Sequence, residues 1–314
     1  MDFVVVSFNR EISQLLLQAR SLARSNARHF VARYIVLWNE ETAAEEMDEV
    51  LSDRLRAELG PAGILVDILP RAAFMERALG SASPGARSQQ AMKLLAARHV
   101  ETPRYCILDS KNHVIRDLAP GDFISEDGRI RSHRQSYSPG TPWGDRFAAS
   151  LRYFGLNEAG APYAIRMPTT TPYVMETSRV CDLLSTVERQ EGCDFATAFL
   201  TRPALSDTTE FLLWYAWLLA CDPELPARLY QLKERIYVSF FNNSPQGDAA
   251  IAFEIARTAS LEVKMLGLHR GRFHRLTPAE REAFIARWLE AGLFRTKAEC
   301  EAFIAKGTIS PLAG

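Results

Sequence analysis

The chain has 314 residues, 47% of them hydrophobic and 24% charged, and its 37 Lys and Arg nearly cancel its 38 Asp and Glu to leave a formal net charge of -1. That balance excludes a disordered chain and a basic polymer-binding tail, because neutralising a phosphate backbone takes an excess of Lys and Arg that is absent. No nucleic-acid partner is expected, and the length allows one large domain or two small ones.

The opening Met1-Asp2-Phe3-Val4-Val5-Val6-Ser7 has an acid at position 2 and only a short apolar run, so it does not read as a signal peptide. Phe3 to Ser7 fits a buried strand, and Ile12, Leu15, Leu16, Ala19, Leu22 and Ala23 then recur at helical spacing from Glu11 to His29. A second strand is predicted at Arg33 to Trp38, an acidic helix from Ala43 to Leu59, and a third strand at Ile64 to Leu69. Gln89 to His99 reads as a helix, and Tyr105-Cys106-Ile107-Leu108 as a fourth buried strand running into Asp109. This alternation predicts a mainly parallel α/β sheet flanked by helices.

Residues 119–150 interrupt the rhythm with scattered Pro and Gly and are expected to form a long loop or hairpin insertion. Helices are then predicted at Arg179 to Gln190, Thr208 to Cys221 and Ala249 to Ala259, and strands at Ile236 to Phe241 and Val263 to Leu268. Thr277-Pro278-Ala279-Glu280 supplies an N-cap, a first-turn Pro and an early acid for the C-terminal helices. The most apolar run, 211–220, is too short to cross a membrane and is followed by Asp222. The five cysteines, Cys106, Cys181, Cys193, Cys221 and Cys300, are scattered with no CxxC pair, which points to a reducing compartment and no zinc cluster. A cytoplasmic protein without a transmembrane segment is expected.

Ligands of open parallel sheets bind beyond the carboxyl ends of the strands. Two such ends are polar: Ser7-Phe8-Asn9-Arg10, and Asp109-Ser110-Lys111-Asn112. The first strand is not followed by GxGxxG, and there is no GxxxxGK[ST], so neither a dinucleotide fingerprint nor a P-loop is present. Cys106-Ile107-Leu108-Asp109-Ser110-Lys111 resembles the DxD region of nucleotide-sugar-dependent glycosyltransferases of the GT-A fold. Gln89-Gln90-x-x-Lys93-Leu94 upstream, with Thr171-Pro172-Tyr173, Thr209-Glu210-Phe211 and Gly267-Leu268-His269-Arg270 downstream, is similar in order to the glycosyltransferase-like DUF6492 group of bacterial proteins.

The resemblance implies a single GT-A-like domain over 1–314. Within it, 1–118 would be a nucleotide-binding half, 151–276 an acceptor half and 277–314 C-terminal helices. It implies a divalent cation, Mn²⁺ or Mg²⁺, against the donor diphosphate, with Asp109 as a ligand. Lys111 stands where a second Asp is expected. Either Asp109 shares a metal with a distant residue such as His269, or Lys111 partly replaces the metal, since an ammonium neutralises a diphosphate directly. Ser7, Asn9, Arg10, Gln90, Lys93, Ser110 and Arg270 are the other expected donor contacts. The basic run His269 to Arg275 reads as a diphosphate clamp.

Glu210 is the first candidate to take a proton from an acceptor hydroxyl, and Asp207 the second, with Trp214, Tyr215 and Trp217 as aromatic faces for an acceptor sugar. The expected activity is glycosyl transfer from a nucleotide-sugar donor to a carbohydrate or other hydroxyl acceptor. The alternatives are a non-catalytic nucleotide- or sugar-binding protein on the same fold and a nucleotidyltransferase.

Overall fold

The run Asp2–Ser7 is buried along its whole length and forms β1, the middle strand of the main sheet. The computed structural model describes residues 1–40, 44–76, 79, 85–135, 137–157, 167–244, 247 and 249–309. β1 is flanked in parallel by β2 (Arg33–Trp38) and β4 (Arg104–Asp109). β3 (Leu65–Pro70) extends the sheet parallel to β2, and β7 (Tyr173–Glu176) closes the other side antiparallel to β4. The order is β3-β2-β1-β4-β7. Strands covered on both faces read as continuous apolar runs, which is why β1, β2 and β4 were legible from composition.

Helices α1 (Ile12–Arg24) and α2 (Ala44–Leu59) link β1 to β2 and β2 to β3 and pack on each other. Right-handed crossovers place both on one face, and α3 (Ala86–Leu95), carrying the chain back past β1 to β4, on the other. The helix expected from Glu11 to His29 is divided: α1 stops at Arg24 because Ser25 is extended and its Oγ accepts the Ala27 N–H at 3.2 Å, starting a separate 3₁₀ turn. A serine hydroxyl offering the backbone a local alternative is the ordinary cause of such a break.

The expected insertion over 119–150 is more regular than its composition implied. It holds the short helix α4 (Pro120–Phe123), the strand β6 (Ile130–Ser132), and from Pro142 the helix α5 (Pro142–Tyr153). Thr141 caps α5 through Gly144 N–H, and a Cβ at Gly144 would lie 1.9 Å from the Ser138 carbonyl, so this glycine permits the helix start to fold back on its own lead-in. Of the Pro and Gly that suggested a loop, Pro120 and Pro142 are thus helix-start residues.

A second sheet has the order β5-β10-β9, where β5 is Asn112–Val114, β9 Tyr237–Phe240 and β10 Met265–Leu268. β10 runs antiparallel to β5 and parallel to β9. A Cβ at Gly267 would lie 2.5 Å from Ser239 Oγ and 3.0 Å from Asn112 Nδ2, so only glycine lets these two side chains meet across β10. β6 pairs with β8 (Tyr230–Leu232).

The second half is mostly helical, with α6 (Thr177–Glu191), α7 (Phe195–Thr201), α8 (Glu210–Cys221), α9 (Leu225–Leu229) and α10 (Ala249–Arg257). α11 (Pro278–Glu290), with the expected Thr277–Glu280 capping box, and α12 (Lys297–Lys306) complete the chain. α8 is apolar on every side and runs through the core. Trp214, Tyr215 and Trp217 are therefore buried rather than offered to a sugar. Trp214 Nε1 donates to the Tyr230 hydroxyl at 2.9 Å, and Tyr215 stacks on Phe147. Among the described residues no helix is long and apolar enough to cross a membrane.

The buried His113 joins the second sheet to α11. Trp288 Nε1 can only donate, and it reaches His113 Nε2 at 2.6 Å, so the ring proton sits on Nδ1 and points to the Lys111 carbonyl at 3.2 Å. Burial pushes this imidazole down to about 4. Because the folded value lies below the unfolded value of about 6.5, the unfolded chain binds more protons between the two, and stability falls as pH drops through that window. The expected loss from His113 alone is about 3 kcal/mol by about pH 4. Urea unfolding at neutral and acid pH measures it; an undiminished slope in His113→Gln would contradict the assignment.

Candidate active site

β4 ends on Asp109 and turns through Ser110 and Lys111 into β5, and this turn is held from several sides. The Asp109 N–H donates to Asn112 Oδ1 at 2.9 Å, and the same oxygen accepts the Thr171 hydroxyl at 2.7 Å. Gln18, fully buried on α1, donates from Nε2 to the Asp109 carbonyl at 2.9 Å and to the Asn112 carbonyl, while its Oε1 accepts the Tyr34 hydroxyl. The Lys111 carbonyl accepts the Leu268 N–H from β10. The backbone of the turn is therefore fixed before any ligand arrives.

The side chains above it form an alternating chain of charge. Lys93, from α3, reaches Asp109 Oδ1 at 2.9 Å and Glu210 Oε1 at 3.2 Å, and Lys111 pairs with Asp109 Oδ2. Both lysines and Glu210 are buried, whereas the Asp109 side chain is 29% exposed. Burial would raise the Asp109 carboxyl, but the Lys111 and Lys93 ammonium groups outweigh it and hold it far below the usual carboxylate range. Burial would likewise lower Lys93, and Asp109 and Glu210 outweigh that to hold it above the ordinary lysine value. Each ammonium also faces a ring, Lys93 at 5.3 Å from Phe211 and Lys111 at 5.0 Å from Phe241.

These groups line a cavity of about 210 Å³ together with Glu11, Ser110, Gln90 and His269. It opens at the carboxyl ends of β1 and β4, where the strand order reverses direction. This is the place at which an open α/β sheet leaves a crevice. The Ser110 hydroxyl donates to Glu11 Oε2 at 2.5 Å, and burial lifts the Glu11 carboxyl above its ordinary value. His269 accepts the Gly271 N–H on Nδ1 at 3.1 Å; burial, with Lys111 and Arg270, keeps its imidazole below the usual value.

The fold thus brings together Gln90, Lys93, Asp109, Ser110, Lys111, Glu210 and His269, but not every expected contact. Ser7 is buried at the end of β1 and does not line the cavity. Asn9 is exposed and donates its N–H to Glu40 Oε1 at 3.1 Å. Arg10 and Arg270 line a neighbouring cavity of about 330 Å³. Asp207 is exposed and outside both. The basic run 269–275 does not act as one clamp, because Arg272 turns inward to Glu280 at 3.0 Å and Arg275 donates to the Asn242 carbonyl.

Three supporting residues carried no motif. Gln18 was detectable as a polar residue on the apolar face of α1, and Asn112 lay within a segment already singled out. Arg87 lies one turn before Gln90 and donates to it at 3.2 Å, and to the carbonyls of Phe199, Leu205 and Thr208 at 2.7, 2.5 and 2.5 Å. It holds the loop that delivers Glu210, and burial lowers its guanidinium to about 10.

Mg²⁺ or Mn²⁺ wants several free oxygens in a fixed shell. Both Asp109 oxygens already face ammonium groups, position 111 supplies a cation, and His269 Nδ1 accepts the Gly271 N–H, which leaves the proton of the neutral ring on Nε2. No group of three or more His, Cys, Asp or Glu able to hold a metal ion occurs among the described residues. The residues around Asp109 do not fit such an ion.

Residues 13–240 match the model of a family of unknown function, DUF6492. The chain belongs to the DUF6492 family. No curated protein matches it. Among solved structures, the DUF6492 chain is similar to the galactosyltransferase LgtC in complex with donor and acceptor sugar analogues, at 12% identity and a TM-score of 0.53 over 94% of this chain and 97% of that one. It is also similar to the apo bifunctional glycosyltransferase WbbM, at 12% identity and a TM-score of 0.50 over 98% of this chain and 52% of that one, so it spans about half of WbbM. The DUF6492 chain has a GT-A-like fold, a mixed and mainly parallel sheet flanked by helices. The family match ends before β10 and before His269, which lines the cavity.

Proposed function

We propose that this DUF6492 protein transfers a glycosyl group from a nucleotide-sugar donor to an acceptor hydroxyl in the cavity around Asp109. The observation that carries the reading is the position of that cavity, with its buried cations and carboxylates, at the strand-order reversal of a fold shared with glycosyltransferases. Breaking the bond between the anomeric carbon and the donor oxygen leaves negative charge on the diphosphate. Lys111 in this cavity and Arg270 in the adjoining one stabilise it, because fixed charges need no reorganisation during the step. Glu210, held by Lys93, accepts the proton of the attacking hydroxyl. Gln90 and Ser110 offer neutral donors and acceptors to sugar hydroxyls.

A thermal-shift screen of UDP-, GDP-, dTDP- and CMP-sugars tests the donor. A donor at about a hundred times its Kd adds about 2.7 kcal/mol, a shift of roughly 5 °C for a chain of this size. If none of the four classes raises the melting temperature, the reading fails. The sharing of Lys93 between both carboxylates favours a second reading, a nucleotide- or sugar-binding protein without catalysis, and stabilisation with no turnover on any acceptor tried would support it.

A further inference from the structure

The mismatch between the Asp109 shell and a divalent cation leaves open what offsets the charge of a bound diphosphate. The answer lies in two adjoining cavities. Arg10 and Glu11 are neighbours in sequence, as are His269 and Arg270, yet Glu11 and His269 line the Asp109 cavity while Arg10 and Arg270 line the next one. The two spaces therefore adjoin along Arg10-Glu11 and His269-Arg270, and their charges act on each other: Arg270 and Lys111 both influence Glu11 and His269.

Among the described residues, the second cavity is lined by Arg10, Arg270, His274 and Lys306 and by no carboxylate. Taken together, the two linings carry five Lys or Arg side chains, Arg10, Lys93, Lys111, Arg270 and Lys306, against three carboxylates, Glu11, Asp109 and Glu210. That surplus of cations suits a dianion without added metal, and Arg270 Nε is buried with no hydrogen-bond partner. Asp109 has the opposite task from a metal ligand: with one oxygen on each lysine, it fixes where the Lys111 ammonium stands.

We propose that the site binds the diphosphate of its donor without a divalent metal, the Lys111 ammonium and the Arg270 guanidinium supplying the charge from the two adjoining cavities. This rests on the glycosyl-transfer reading, and the two fail differently. Titration calorimetry of UDP and GDP is run on the full chain in EDTA and again with Mn²⁺, beside a titration of Mn²⁺ alone. The expected result is no Mn²⁺ binding at millimolar metal and nucleotide affinities that agree within about twofold in the two buffers, with Arg270→Ala and Lys111→Met each weakening them by about tenfold. Arg270 is half-exposed, so its variant remains informative if the buried Lys111 change unfolds the chain. Binding strengthened about tenfold or more by Mn²⁺ would overturn the metal-free site alone. Binding of neither nucleotide in either buffer would overturn this proposal, and the glycosyl-transfer reading falls with it only when none of the four nucleotide-sugar classes stabilises the chain; a charge-independent site would show itself as Arg270→Ala binding like the parent.

Discussion

Glu210→Gln is expected to lower the rate of glycosyl transfer by about 10²–10⁴-fold, the usual contribution of a positioned general base. Glutamine keeps the shape and a carbonyl oxygen for Lys93 at the same place, so the change removes the proton acceptor with the least disturbance of packing. The paired control is Asp207→Asn. Asp207 was the second candidate by sequence, three residues earlier, but it is exposed and lines neither cavity, so its variant should transfer at the parent rate. Initial rates of nucleoside diphosphate release with the donor found by the thermal screen separate the two. Equal losses at both positions would indicate a disturbed helix start rather than a lost base, and no loss at Glu210 would remove it from the chemistry.

Asp109→Ala is expected to cost the fold about 3 kcal/mol, measured by urea unfolding. Removing one partner of a buried ion pair typically costs 3–5 kcal/mol because the other charge is left stranded, and the 29% exposure of Asp109 places this case at the low end. Lys93 retains Glu210, so Lys111 bears most of the penalty. It follows that Asp109→Ala with Lys111→Met recovers part of the loss, since replacing both members of a buried pair by apolar groups is often close to neutral. Strict additivity of the two single changes would mean that the pair is not coupled.

Four of the five strands of the main sheet were readable, β1, β2 and β4 because strands covered on both faces leave an unbroken apolar run, as in Val4-Val5-Val6 and Ile35-Val36-Leu37, while the antiparallel edge strand β7 was not expected. The three-residue strands β5, β6 and β8 were not, because so short a segment carries no period and is fixed by its partners. Asn112–Val114 becomes a strand through β10, more than 150 residues away. At the site, Asp109, Lys93, Lys111 and Glu210 were found as residues, and their mutual neutralisation was not: spacing placed Gln90 and Lys93 on one helix face but said nothing of the carboxylates that would meet it there. Nor could spacing tell the aromatic residues of α8 from a binding platform, since a core helix and a sugar-stacking face use the same side chains. The basic run 269–275 misled for a related reason. Charge counted along a sequence does not record that Arg272 points inward.

β10 lies between β5 and β9, so the turn bearing Lys111 and the turn bearing Arg270 leave the same three-stranded sheet. Neighbouring strands sit about 4.8 Å apart, a spacing set by main-chain hydrogen bonds rather than by side-chain rotamers. The backbone anchors of the two cations are thereby fixed against each other, while each charge stands on a flexible side chain, and for Lys111 the Asp109 carboxylate sets where the ammonium sits. Substitutions at Gly267 or Ser239, which meet between these strands, are therefore expected to move the two anchors relative to each other.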